Sequence, residues 1–66
     1  MNIQLNNNTI QIKNSISVEE LIASQNISTK GIAVAVNTNI VAKSEWGNKQ
    51  LKENDNIIII TATQGG

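Results

Sequence analysis

The sequence has no cysteine, no histidine and a single aromatic residue, Trp46. Without cysteine there is no disulfide framework, no thiolate nucleophile and no Cys-type zinc site. Without histidine the commonest general base and the commonest metal ligand are both missing. Five acidic residues balance five basic ones, so no electrostatic footprint for nucleic acid or for an anionic membrane is expected. No apolar run approaches the roughly 20 residues of a transmembrane helix. Met1-Asn2-Ile3-Gln4 shows no basic region followed by an apolar one; no signal peptide is expected, and the expected location is the cytoplasm. At 66 residues the chain is one domain that buries only about 60% of its unfolded surface, with little room for a deep pocket. An enzyme with its own active site is not expected, nor a cofactor held by this chain. The free chain is expected to be a monomer.

What is present reads as strands around one helix. Ile3 and Leu5 alternate with polar residues, as do Ile10 and Ile12, which is the period of strands with one buried face. Asn6-Asn7-Asn8 lies between them, and asparagine tolerates the positive φ of tight turns. Residues 2–6 and 9–13 are therefore expected to form a β-hairpin with Ile3, Leu5, Ile10 and Ile12 inward. Ser17 is placed as a helix N-cap, with Glu20 completing a capping box and Ile16 able to staple to Leu21. Val18, Leu21 and Ile22 form one apolar stripe. Asn26 can take the left-handed position that ends the helix, with Ile27 folding back toward Ile22. Glu19 and Glu20 could be read as paired catalytic carboxylates, but the favourable helix dipole at the first turn accounts for them better.

After a polar connection, residues 32–36 are apolar throughout, as in a strand covered on both faces or a central strand. Asn37-Thr38-Asn39 turns the chain into a short strand at residues 40–42. Trp46 stands in a polar loop, where a core-edge plug is favoured over a ligand platform. Leu51 is the next buried anchor. Residues 53–56 form a turn with Asn54 left-handed. The last strand runs from Ile57 to about Thr63. The elements assemble as an α+β fold, a mixed sheet of about four to five strands with one helix across one face, the first and last strands adjacent in its middle. Of four consecutive isoleucines, two should then face the helix and two the open side. If Ile57 and Ile59 are inside, Ile58 and Ile60 are either an exposed docking patch or covered by Trp46 and neighbouring strands.

The sequence closes on Thr63-Gln64-Gly65-Gly66. The expected organisation is a domain over residues 1–63 and a tail over residues 64–66. A diglycine tail is thin and conformationally free, so it can thread a narrow channel and deliver only the Gly66 carboxylate to a partner's active site. The bland alternative is a frayed terminus.

The C-terminal half resembles the ThiS family, the small sulfur carriers of thiamine (thiazole) biosynthesis. The resemblance lies in Val34-Ala35-Val36-Asn37, Ile40-Val41, Ser44-Glu45-Trp46, Leu51 followed by Asp55, then Ile57, Ile59 and Ala62, and Gly65-Gly66. It extends more loosely through the first half. Two departures are the Asn54-Asp55 pair, where the family usually has Gly-Asp, and the lack of a proline before Ser44. Asparagine is the next best residue for that turn. The resemblance implies a ubiquitin-like β-grasp fold with Ile57 and Ile59 in the core and Ile58 and Ile60 facing partners. It also implies a chemistry. An E1-like enzyme (ThiF type) uses ATP and magnesium to adenylate Gly66. Sulfur from a cysteine desulfurase system displaces AMP to leave a thiocarboxylate, and a thiazole synthase (ThiG type) takes the sulfur. Gln64, Gly65 and Gly66 would enter the partner's active site. The rivals are a carrier of the molybdopterin synthase small-subunit type, a ubiquitin-like modifier joined to lysines, and a plain binding module with an inert tail.

Overall fold

The computed structural model describes residues 1–61. Five strands and one α-helix follow in the order β1 (Asn2–Leu5), β2 (Asn8–Gln11), α1 (Val18–Ser24), β3 (Ile32–Val36), β4 (Asn39–Val41) and β5 (Asn56–Thr61), with a short 3-10 turn at Lys43–Glu45. They build one sheet in the order β2-β1-β5-β3-β4. β1 runs parallel to β5, with Gln4 opposite Asn56 and Leu5 opposite Ile57; the other pairings are antiparallel. The first and last strands thus meet in the middle of a mixed sheet, the arrangement expected from the chain order.

Both hairpins are tighter than their sequences indicate. Only Asn6 and Asn7 lie in the first turn, at φ 49 and 70, and Asn8 already pairs with Leu5. Only Asn37 and Thr38 lie in the second, at φ 51 and 74, and Asn39 pairs with Val36. Two-residue turns with both residues left-handed match the twist of the flanking strands, so the third asparagine of each expected turn is drawn into the ladder. β2 ends at Gln11, and Ile10 and Ile12 face inward as expected, half-buried against the core. β4 covers 39–41, not 40–42. β3 is an interior strand, but it is buried on one face only: Val34 and Val36 are enclosed while Ala33 is exposed.

The seven-residue helix is too short to be stable alone. Its ends are closed by side chains and backbone. Ser17 Oγ accepts from the Glu20 N–H at 3.1 Å while Glu20 Oε1 accepts from the Ser17 N–H at 2.9 Å. At the far end Asn26 has φ 58, and the N–H groups of Asn26 and Ile27 donate to the carbonyls of Ala23 and Ile22, each at 3.2 Å. This is a Schellman closure with asparagine in the left-handed position. Val18, Leu21 and Ile22 then seat the helix on Ile3, Leu5, Val34, Val36, Leu51, Ile57 and Ile59. Each fully buried aliphatic side chain contributes about 1.5–3 kcal/mol.

Buried polar groups stitch the connections to this core. Asp55 Oδ1 accepts from Asn37 Nδ2 at 2.9 Å and its Oδ2 accepts from the Lys52 N–H at 2.8 Å. Asn37 Oδ1 in turn accepts from the Asn56 N–H at 2.9 Å. The β3–β4 turn is thereby fastened to the start of β5. Two expectations follow. Leu51, fully enclosed, should lose about 2–5 kcal/mol on change to alanine, read from the urea midpoint. Thr38 is β-branched at a left-handed φ, which is strained. Thr38→Gly should therefore raise the urea midpoint by about 0.5–1 kcal/mol of stability.

Candidate functional site

Alternation along β5 sorts its isoleucines. Ile57 and Ile59 enter the core. Ile58 and Ile60 point to the other face, where Ile58 is half-buried and Ile60 is 57% exposed. Across the register Ile58 faces Ala35 and Ile60 faces Ala33. Beyond them, Ala35 also faces Ile40 on β4, which is 72% exposed. Small alanines between larger isoleucines leave the latter standing above the sheet. The open face is apolar over β5, β3 and β4. Over β1 and β2 it is polar: Asn2 lies opposite Gln11 and Gln4 opposite Thr9.

Ile58 and Ile60 thus lie on the face expected of them, Ile60 well exposed and Ile58 less so. Trp46 does not cover them, because it belongs to the buried cluster with the helix residues. Ile40, Ala33 and Ala35 were not among the expected patch residues. Residues 32–36 and 40–42 are apolar throughout, so their spacing carries no facing; only the β3–β4 register aligns Ile40 with Ala35. The expected extension of the last strand to Thr63, the domain boundary after residue 63, and Gln64, Gly65 and Gly66 lie outside the described residues. The last described strand residue is Thr61, beside Ile60 and opposite Ile32.

The other singled-out residues have structural roles. Trp46 is 4% exposed, and its indole Nε1 donates to the Val41 carbonyl at 3.0 Å. The carbonyl of Trp46 accepts from the Glu19 N–H at 3.1 Å, so the loop is tied to the helix start. Trp46 is a core plug. Glu20 is occupied in the capping box, and Glu19 is exposed beside it in the first turn. An open groove of about 450 Å³ beside β4 is lined by Val36, Ile40, Val41, Glu45 and Lys49, among others. Among the described residues no group of three or more His, Cys, Asp or Glu is placed to hold a metal ion, and no helix is long and apolar enough to cross a membrane.

This sorting of faces has a measurable consequence. Ile60→Lys should change the urea unfolding free energy by no more than about 0.5 kcal/mol, as surface substitutions do. Ile59→Lys, one residue away, buries an unpaired charge and should leave no cooperative unfolding transition.

The family model described as the ThiS family matches residues 3–66. No curated protein matches the chain. Among solved structures, the crystal structure of a thiamine biosynthesis protein (ThiS) from Geobacter metallireducens is similar at TM-score 0.87 and 19% identity, covering 100% of both chains. The solution structure of a thiamine biosynthesis protein from the same organism is similar at TM-score 0.80 and 20% identity, covering 100% of this chain and 88% of the other. At these identities the likeness establishes the fold. The match to the family model spans nearly the whole sequence, from β1 through the final Gly65-Gly66, and by it the chain belongs to the ThiS family of ubiquitin-like sulfur carriers.

Proposed function

We propose that this chain carries sulfur as a thiocarboxylate on Gly66 and delivers it for formation of the thiazole moiety of thiamine, in the cytoplasm. Membership of the family supports the carrier role and partner enzymes in thiamine biosynthesis. The observation that carries the reading in this molecule is the position of the patch. Ile60 is exposed one residue before the last described position of β5, so an apolar docking surface adjoins the base of the segment that ends in Gly65-Gly66.

The chemistry follows from the carboxylate. An ionised carboxylate is a poor electrophile, so it is activated by an E1-like partner of the ThiF type. A carboxylate oxygen of Gly66 attacks the α-phosphorus of ATP; pyrophosphate leaves and an acyl-adenylate remains. ATP and magnesium are bound by that partner, not by this chain. A persulfide from a cysteine desulfurase system attacks the acyl carbon and AMP leaves. A thiol then cleaves the sulfur–sulfur bond, which leaves the thiocarboxylate on Gly66 and a disulfide on the donor side. A thiazole synthase of the ThiG type accepts the tail and takes the sulfur. The covalent catalysis belongs to the partners. This chain supplies the acyl group, with Gln64, Gly65 and Gly66 in the channel and Ile58 and Ile60 at the docking surface.

Because the chain has no cysteine, a thiol alkylator reports the product directly. After incubation with ATP, magnesium, the activating enzyme and a sulfur source, alkylation followed by intact mass should show one label, located on a C-terminal fragment at Gly66. No label, with a control carrier labelled in parallel, would overturn the reading. Gly65→Val adds bulk in the channel and should abolish adenylation while leaving the urea midpoint unchanged. Ile60→Glu should raise the KM of the activating enzyme for the carrier by about fivefold or more, the loss of one apolar anchor.

A further inference from the structure

The parallel ladder between β1 and β5 is cut short by the first hairpin. Gln4 donates its N–H to the Asp55 carbonyl and Asn6 donates its N–H to the Ile57 carbonyl, both at 2.9 Å. The next rung on this side of β5 falls at Ile59, but at Asn6 and Asn7 the backbone turns away into β2 at φ 49 and 70. The Asn6 side chain supplies the missing rung. Its Oδ1 accepts from the Ile59 N–H at 2.8 Å and its Nδ2 donates to the Ile59 carbonyl at 3.3 Å. The amide orientation is not arbitrary, because a backbone N–H only donates and a carbonyl only accepts. A primary amide presents an acceptor oxygen and one of its two N–H donors along one edge, complementary to the N–H and carbonyl that Ile59 presents together on that side of β5, so Asn6 continues the ladder after the strand itself has left.

We propose that Asn6 is a positioning residue for the acyl-carrying tail, acting through this two-bond clamp on Ile59. The clamp sits two residues before Thr61, the last described residue of β5. Beyond Ile57 the main chain of β5 is paired only with β3, Ala33 facing Ile60 and Ile32 facing Thr61. A partner that draws the tail into its active site pulls on this end of the strand. With the clamp closed, the docking residue Ile60 and Thr61, from which the sequence runs on toward Gly66, keep a fixed relation to the sheet. With it open, β5 frays back toward Ile57, and only a fraction of the chains present patch and tail in the register that the partner accepts. Apparent affinity falls by that fraction, while bound chains react as before.

The residue requirement is narrow. Asparagine tolerates the left-handed turn position and reaches Ile59 with both a donor and an acceptor. Glycine tolerates the turn but makes neither bond. Ionised aspartate tolerates it and accepts from the Ile59 N–H, but it has no donor for the carbonyl.

Asn6→Gly therefore separates the clamp from the turn, and Asn7→Gly, which touches the same turn without reaching Ile59, is its control. In amide hydrogen exchange on the folded chain, Asn6→Gly should speed exchange at Ile59 by about fivefold or more, the loss of one part-buried hydrogen bond at that amide; Asn6→Asp should fall between it and the wild type. The functional half of the proposal rests on the carrier reading and is measured by ATP-dependent adenylation with the activating enzyme. Asn6→Gly should raise KM for the carrier by about threefold or more with kcat unchanged, and Asn7→Gly should leave both unchanged. Equal KM values for wild type and Asn6→Gly, or equal effects of Asn6→Gly and Asn7→Gly, would overturn the positioning role. A wild-type chain that is not adenylated at all would overturn the carrier reading on which the role rests, an outcome read from the wild type alone.

Discussion

The parallel pairing of β1 with β5 brings the first and last strands together in the centre of the sheet, and the other elements are placed by reference to it. Gln4 meets Asn56 and Leu5 meets Ile57 across most of the sequence. The Asn54 N–H donates to the Asn2 carbonyl at 2.7 Å, and Glu53 Oε1 accepts from the Asn2 N–H at 3.0 Å, so the turn before β5 is sewn onto β1 as well. Closing so long a loop costs chain entropy that no local contact returns. The offset comes from the non-local core that the pairing creates: Ile3, Leu5, Ile57 and Ile59 become one surface on which a seven-residue helix finds enough apolar area to stay folded.

One helix covers one face. That asymmetry is the origin of the open apolar strip, because β5 has the same residue type on both sides and the helix can bury only half of it. The strip is narrow: the β1–β2 half of the face is polar, and the alanines of β3 carry little surface. It lies at the end of the sheet from which the chain continues toward Gly66. On the proposed reading a carrier needs little beyond this, since a partner enzyme would supply the activation. The small core is consistent with the task, which asks for a recognisable body and not for a pocket.

The chain takes its tight turns with asparagine. Asn6, Asn7, Asn26, Asn37 and Asn54 all hold positive φ, with Thr38 as the other non-glycine residue to do so among the described residues. Asparagine costs more there than glycine, but its side chain is available for a second use. Asn37 uses its amide to bind Asp55 and the Asn56 N–H, and Asn6 uses its amide on Ile59. In both places one residue sets a turn and fastens that turn to β5.

Much of this was decided by local chemistry and is legible in the order of residues. The capping box at Ser17 and Glu20, the helix end at Asn26 and Ile27, the strand alternation of residues 2–5 and the left-handed Asn54 involve partners within a few positions, so spacing alone carries them. The family was likewise readable, because Gly65-Gly66 and the ThiS-like stretches are runs of sequence. The tertiary structure decided what depends on register. Whether Asn8 and Asn39 belong to turns or to strands was settled by the two-residue turns that the strand twist selects. Ile40 joined the Ile58–Ile60 face because β4 pairs with β3 in one register and not the next, and a slip of one residue would have turned it inward. The bond from Asn6 to Ile59 exists only because strands far apart in sequence lie side by side, a proximity that no local pattern encodes.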